Sequence, residues 1–316
     1  MNITRYDYEV VSFAGSIVEG SNGHIYLYDY LYSYIFELDG RSTTLIGQLF
    51  NEQQSESLEG FKAGYGYIAR RRFASRYVWR VCTVPAFSKR LVYLPGHIFM
   101  GYNAERTVAV LTDHGRSYVI CVDHSRRPAR QQRLDVRVQN DSVNVDRLLV
   151  GALNGDKLIK IYDLVSGALV SEIKSPVSVS SFDYVYPVSA DTVISSCHGI
   201  TIIKNDQIVL RDSRFRPWNI ASRRDRVIAK ALVRHAIKHV TLSCLVYINT
   251  KDGNICTIYN AQNAVLLSDR LAVLAATGNS WFIIPYSQLD AEPANHIVIS
   301  PLRRSAVLIS EAPLLL

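Results

Sequence analysis

A phrase of short apolar strands and glycine turns returns along this 316-residue chain at intervals of 52, 40, 41, 42, 55 and 42 residues. The clearest copy runs Leu148–Leu153, turns through Asn154-Gly155-Asp156-Lys157 and continues as Leu158–Asp163. It turns again through Leu164-Val165-Ser166-Gly167 and leaves as Ala168–Ile173. Runs rich in Val, Ile, Leu and Tyr, punctuated by Gly, Asn and Asp, read as antiparallel strands joined in tight hairpins. Middle strands of the phrase begin near Ile25, Tyr77, Ser117, Leu158, Ile200, Ile255 and Ile297. Five copies place a glycine in the preceding turn, at Gly23, Gly115, Gly155, Gly199 and Gly253, where positive φ is readily adopted.

A period of about 45 residues is that of a four-stranded propeller blade. One such sheet cannot bury both of its faces, so neighbours must cover them, and seven copies fill the chain. The expected fold is therefore all-β: a β-propeller of about seven four-stranded antiparallel blades, a single domain spanning 1–316. The phrase puts the first innermost strand near Tyr8–Val11 and the last outer strand near Ala306–Ile309. Outer strands are read at Tyr34–Leu38, Arg90–Leu94, Gln131–Val136, Ala168–Val170, Gln207–Leu210 and Ala264–Leu267. Two intervals are long. The first holds the polar, acidic stretch 51–60, expected as an exposed loop; the second holds 223–240, whose apolar spacing fits a helix or a longer hairpin equally.

The segment Ile161-Tyr162-Asp163-Leu164-Val165-Ser166-Gly167 resembles the strand-and-turn ending of a WD40 repeat, with tyrosine at the usual tryptophan position. Fainter echoes are Leu27-Tyr28-Asp29, Cys121-Val122-Asp123 and Ile258-Tyr259-Asn260, and no Trp-Asp pair occurs. The resemblance implies a WD40-like propeller, and with it a non-catalytic platform on which other proteins assemble.

Composition narrows the class further. With 48% hydrophobic and 20% charged residues the chain can bury a large core. Five widely spaced cysteines with no Cys-x-x-Cys pair argue for buried free thiols rather than zinc or redox chemistry. The start Met1–Asp7 lacks the features of a secretory signal, and no long apolar run occurs, so the expected compartment is the cytoplasm or nucleus, with no membrane insertion. Charge is uneven: residues 1–59 carry two basic and nine acidic side chains, 60–137 carry fifteen and four, and 211–239 carry nine and two.

Catalytic signals are weak. His235 and His239 have helical spacing for two metal ligands but no glutamate between them, and His24, His114 and His198 sit beside turn glycines as capping residues. No phosphate loop, nucleophile elbow or dinucleotide fingerprint appears. No metal, cofactor or catalytic residue is therefore assigned, and the chain is read as a non-enzyme. Tyr26, Tyr28, Tyr30, Tyr32 and Tyr34 alternate along one unit and are read as packing between blades rather than as a binding patch.

The basic and aromatic clusters carry the functional signal. Arg70 to Arg80 holds five arginines and three aromatics, Arg211 to Trp218 is followed by Arg223, Arg224 and Arg226, and a third group spans Arg126 to Arg137. Arginine favours planar, bidentate contacts to carboxylate or phosphate. Arg71, Arg76, Arg80, Arg214, Arg216 and Trp218 are the partner-contact candidates. The expected partner is a protein with an acidic surface. An RNA- or ribonucleoprotein-associated propeller is the first alternative, and an enzyme with a small-molecule site in a central channel the second.

Overall fold

The computed structural model describes the backbone of residues 3–7, 15–20, 22–29, 34–38, 43–48, 57–60, 66–73, 76–83, 89–93, 98–102, 106–113, 116–123, 130–134, 142–144, 146–180, 183–196, 199–234, 241–276, 280–291, 295–300 and 305–309. Between 46 and 133, apart from those strands' backbone, and beyond 299, nothing of the side chains is described. Among the described residues, thirty strands fall into seven sheets.

Strand β1 (Thr4–Asp7) pairs with none of the strands of the first six sheets. The first sheet is β2 (Gly15–Glu19), β3 (Ile25–Asp29), β4 (Tyr34–Leu38) and β5 (Thr43–Gln48). The second is β6 (Ser57–Gly60), β7 (Gly66–Phe73), β8 (Arg76–Thr83) and β9 (Lys89–Tyr93). The third is β10 (Ile98–Tyr102), β11 (Arg106–Asp113), β12 (Arg116–Asp123) and β13 (Arg130–Leu134). The fourth is β14 (Val143–Asn144), β15 (Leu149–Asn154), β16 (Leu158–Asp163) and β17 (Leu169–Lys174). The fifth is β18 (Val185–Pro187), β19 (Thr192–Ser195), β20 (Ile200–Lys204) and β21 (Gln207–Asp212). Each pairs in chain order.

The last two sheets depart from that plan. β22 (Phe215–Arg223), β23 (Arg226–Arg234), β24 (Thr241–Asn249) and β25 (Asn254–Tyr259) begin a six-stranded sheet. β26 (Ala261–Leu266), β27 (Arg270–Ala275) and β28 (Ser280–Pro285) form the next, and β1 completes it as the fourth strand with Thr4 opposite Ile283 and Asp7 opposite Ser280. After the short helix α1 (Tyr286–Leu289), the chain returns to the sixth sheet as β29 (Asn295–Ser300) and β30 (Ser305–Ile309). β29 pairs parallel with β25. Repeated four-stranded antiparallel sheets make the fold an all-β propeller of about seven blades.

The phase of the repeat therefore shifts in three places. Ile297 does not found a blade: it lies on β29, and the seventh sheet is β26–β28 with β1. Ala264–Leu267 belongs with the first strand of that sheet rather than an outer one, and Tyr34–Leu38 is a third strand. The first sheet opens at Gly15, while residues 8–14 lie outside the described residues. Short apolar runs mark second, third and fourth strands alike, so the repeat in sequence does not say which strand of a sheet it has found. Around the long interval β22, β23 and β24 are long antiparallel strands, of which β23 takes up 226–234. Residues 235–240, with His235 and His239, lie outside the described residues, as do 51–56, whereas 57–60 form β6.

Two compact units partition the chain: 52–213, and 1–51 together with 214–316. In the first unit, Leu149, Ile159, Ile161 and Ile173 of the fourth sheet pack against Val185, Val193 and Ile203 of the fifth. Burying each such side chain contributes about 1.5–3 kcal/mol. Where the first strands approach, polar groups stitch them: Asn144 Nδ2 donates to Pro187 O at 2.9 Å and Val185 N to Ser142 Oγ at 3.1 Å. Gly151 on β15 is needed because a Cβ there would stand 2.2 Å from Val185 O. The WD40-like segment closes its turn locally, Asp163 Oδ1 accepting from Val165 N (3.0 Å), Ser166 N (2.7 Å) and Ser166 Oγ (2.7 Å).

The second unit is built from both ends of the chain. Ile17, Ile25, Leu27, Phe36 and Leu38 of the first sheet pack on Ala272, Leu274, Trp281 and Ile283 of the seventh. The seventh sheet's other face meets Ile228, Leu245, Tyr247, Cys256 and Ile258 of the sixth, with Ile297 and Ile299 of β29 in the same core. Of the forecast turn glycines, Gly23, Gly155, Gly199 and Gly253 have φ of 79°, 80°, 109° and 72°, and Gly115 lies outside the described residues. No described helix is long and apolar enough to cross a membrane.

Candidate binding surface

The register of the β7–β8 hairpin sets Arg71 opposite Val78, Phe73 opposite Arg76 and Ala69 opposite Arg80. Opposed residues share a face and alternate residues return to it, so positions 71, 76 and 80 belong to one side of the second sheet. Positions 70, 72, 77 and 79 fall on the other side.

On β22 the side chains themselves are described, and the arginine cluster divides. Arg223 is half-buried: its Nη1 donates to Glu19 Oε2 on β2 and, at 3.1 Å, to Leu266 O at the end of β26. One guanidinium thus ties the first strands of three sheets of the same unit. Arg226 on β23 lies 4.2 Å over the Tyr286 ring, donates from Nε to Tyr247 Oη at 3.0 Å and pairs through Nη2 with Asp290 Oδ2 at 3.1 Å. Tyr247 donates in turn to Asp290 Oδ1 at 2.8 Å and stacks on Tyr286 with centroids 5.9 Å apart. This network holds the end of α1 against the sixth sheet. Burial, and then the Asp290 carboxylate, push the Tyr247 phenol far above the tyrosine range, and burial does the same to Tyr286.

Arg214 is exposed and lies 5.2 Å over the buried Phe215 ring. Arg216 is exposed, Trp218 is half-buried, and neither has a hydrogen bond or ion pair among the described residues. β22 is the free edge of its sheet, and it is poorly suited to pair with another strand. Pro217 has no N–H, and a bulge between Trp218 and Ile220 puts Asn219 at φ 51°. What this edge offers is side chains.

One further cation was not singled out from the sequence. Lys230 on β23 stands directly opposite Trp218 on one side and Leu245 on the other, and burial alone pushes its ammonium below the usual lysine range. Its only sequence signal is a lysine on the apolar face of a strand, flanked by Ile228 and Leu232.

The remaining candidates resolve differently. His24, an exposed turn residue, bonds to Glu37 across the β3–β4 pair. His114 and His198 lie outside the described residues. Among the described residues no group of three or more His, Cys, Asp or Glu could hold a metal ion. Cys244 and Cys256 are free and buried, and burial pushes both thiols up to about 12. Tyr26 is fully buried, with Asn22 Nδ2 donating to its hydroxyl at 2.8 Å, which is the packing role expected of it.

No family model matches this chain, and no curated protein matches it. Solved structures do. A computationally designed protein, Ika8, superposes with a TM-score of 0.53 at 10% identity, covering 88% of this chain and 98% of its own. BamB from Moraxella catarrhalis gives 0.44 at 12% identity over 84% and 81% of the two chains. Virginiamycin B lyase from Staphylococcus aureus gives 0.47 at 11% over 90% and 99%. At these identities the likeness is one of fold alone.

Proposed function

We propose that this chain is a non-catalytic, WD40-like propeller scaffold of the cytoplasm or nucleus that docks protein partners with acidic surfaces through its arginine-bearing faces. One observation carries the reading: an exposed Arg216 and a half-buried Trp218 stand together on a strand edge without a hydrogen bond or ion pair among the described residues, while Arg223 and Arg226 nearby are consumed by Glu19 and Asp290. A cation and an aromatic side by side on a strand edge suit recognition of another macromolecule. The shared side of Arg71, Arg76 and Arg80 in the second sheet supports a second contact of the same chemistry. A propeller tolerates such variation because loops and edges change without disturbing the core.

The test is recovery of partners from native cells with tagged protein, with and without nuclease. Combined Arg71→Glu, Arg76→Glu and Arg80→Glu, and separately Arg214→Glu with Arg216→Glu, should weaken recovery at unchanged melting temperature. Unchanged recovery in both variants would remove the arginine faces from the reading. Loss of every partner on nuclease treatment would replace the protein-scaffold reading with a nucleic-acid one.

A further inference from the structure

One face of the sixth sheet carries cations at both of its ends, and only one end is neutralised among the described residues. The unbroken β23–β24 register and the β22–β23 pairs put Arg216, Trp218, Ala221 and Arg223 of β22 on the same face as Leu232, Lys230, Ile228 and Arg226 of β23 and Leu245 and Tyr247 of β24. Ile228, Leu245 and Tyr247 fix which face this is, since they pack on the seventh sheet. At the Arg223–Arg226 end, each guanidinium has a carboxylate, Glu19 and Asp290. At the Arg216–Lys230 end, no described residue supplies one.

Asp290 does not serve both ends. Four residues of strand separate Arg226 from Lys230, about 13 Å at roughly 3.3 Å per residue. Both Asp290 oxygens are already engaged at their own end, Oδ2 by Arg226 and Oδ1 by Tyr247. Lys230 is half-buried beside Trp218 and Leu232, so its charge is shielded from water without being matched by a described residue. A buried cation is ordinarily paired. With Pro217 and the bulge at Asn219 blocking strand addition, a ligand here is gripped by side chains.

We infer that Lys230, Arg216 and Trp218 form a binding site for an acidic protein segment, one carboxylate of which pairs with Lys230 while a neighbouring apolar side chain packs on the Trp218 indole and Leu232. This rests on the reading of Arg216 and Trp218 as partner contacts and names the chemistry of that partner. Aspartate or glutamate next to an aliphatic residue is the minimal recognised unit. The Lys230 ammonium gives the site its depth and Arg216 its outer arm.

The test uses the full chain and a fluorescein-labelled Gly/Ser peptide carrying spaced Glu-Leu pairs, read by anisotropy at physiological salt. Lys230→Met and Arg216→Gln should each weaken binding on the order of tenfold. Arg224→Gln removes an equal charge from an exposed turn outside the site and should change affinity by less than about twofold. A matching peptide with Gln for Glu should not bind. The inference is overturned if the acidic peptide shows no saturable binding, if Lys230→Met leaves its affinity intact, or if Arg224→Gln weakens it equally. It is also overturned if a single-stranded oligonucleotide binds more tightly with the same dependence on Lys230. Lys230→Met keeps a side chain of similar length and removes a poorly solvated charge, so the fold survives the substitution, with circular dichroism as the check. If native partners are lost in the Arg214/Arg216 variant while Lys230→Met leaves the peptide affinity intact, the scaffold reading stands and this site falls.

Discussion

Gly151 and Lys230 show how a single residue is judged by what lies across from it. At Gly151 a methyl group would be driven to 2.2 Å from the Val185 carbonyl, backbone that cannot swing aside. Gly151→Ala should therefore cost about 1–3 kcal/mol, the usual range for overpacking, seen as a lower midpoint in urea unfolding. At Lys230 the effect runs the other way. Its folded-state pKa lies below the unfolded one, so the unfolded chain holds the proton more tightly. The resulting destabilisation is complete below the folded pKa and fades as pH climbs toward roughly 10.4. Lys230→Met should unfold at a higher temperature than the parent at neutral pH, with the gap narrowing in alkaline buffer. A constant gap across pH would mean that packing, not charge, separates the two proteins. Glu19→Gln leaves Arg223 half-buried without its anion, so it should lower stability, by less than the roughly 3–5 kcal/mol of a fully buried pair because Arg223 keeps some solvent.

At the scale of elements, the seventh sheet depends on a strand from the far end of the chain. Without β1, β28 would present an unpaired edge bearing Trp281, Phe282 and Ile283. Such an edge invites pairing with other molecules. Deleting residues 1–7 should lower the melting temperature and produce light-scattering aggregates on concentration. The sixth sheet solves its own edge differently, since β29 covers β25 in parallel and places Ile297 and Ile299 in the core. The two ends of the chain thus cover two different edges, which strand periodicity does not disclose. A pattern of alternating apolar residues identifies a strand and the face it buries. It is silent about which neighbour that strand will have.

At the scale of the molecule, one compact unit joins 1–51 to 214–316. Residues 214–316 alone lack β1 and the first-sheet residues Ile17, Ile25, Leu27 and Phe36 that cover Trp281 and Leu274. Expressed by themselves they should remain unfolded or insoluble, and co-expression with 1–51 should restore solubility and near-ultraviolet dichroism. What the sequence determined by itself was local. The strands, the positive-φ turn glycines at 23, 155, 199 and 253, the buried Tyr26 and the all-β repeat arise from alternation and turn chemistry within a few residues. Tertiary structure decided which arginines are spent and which are open. Glu19 reaches Arg223 across 204 residues and Asp290 reaches Arg226 across 64. A charge run in sequence gives the number of cations, but the anions that neutralise them arrive by folding, from strands that no local pattern links.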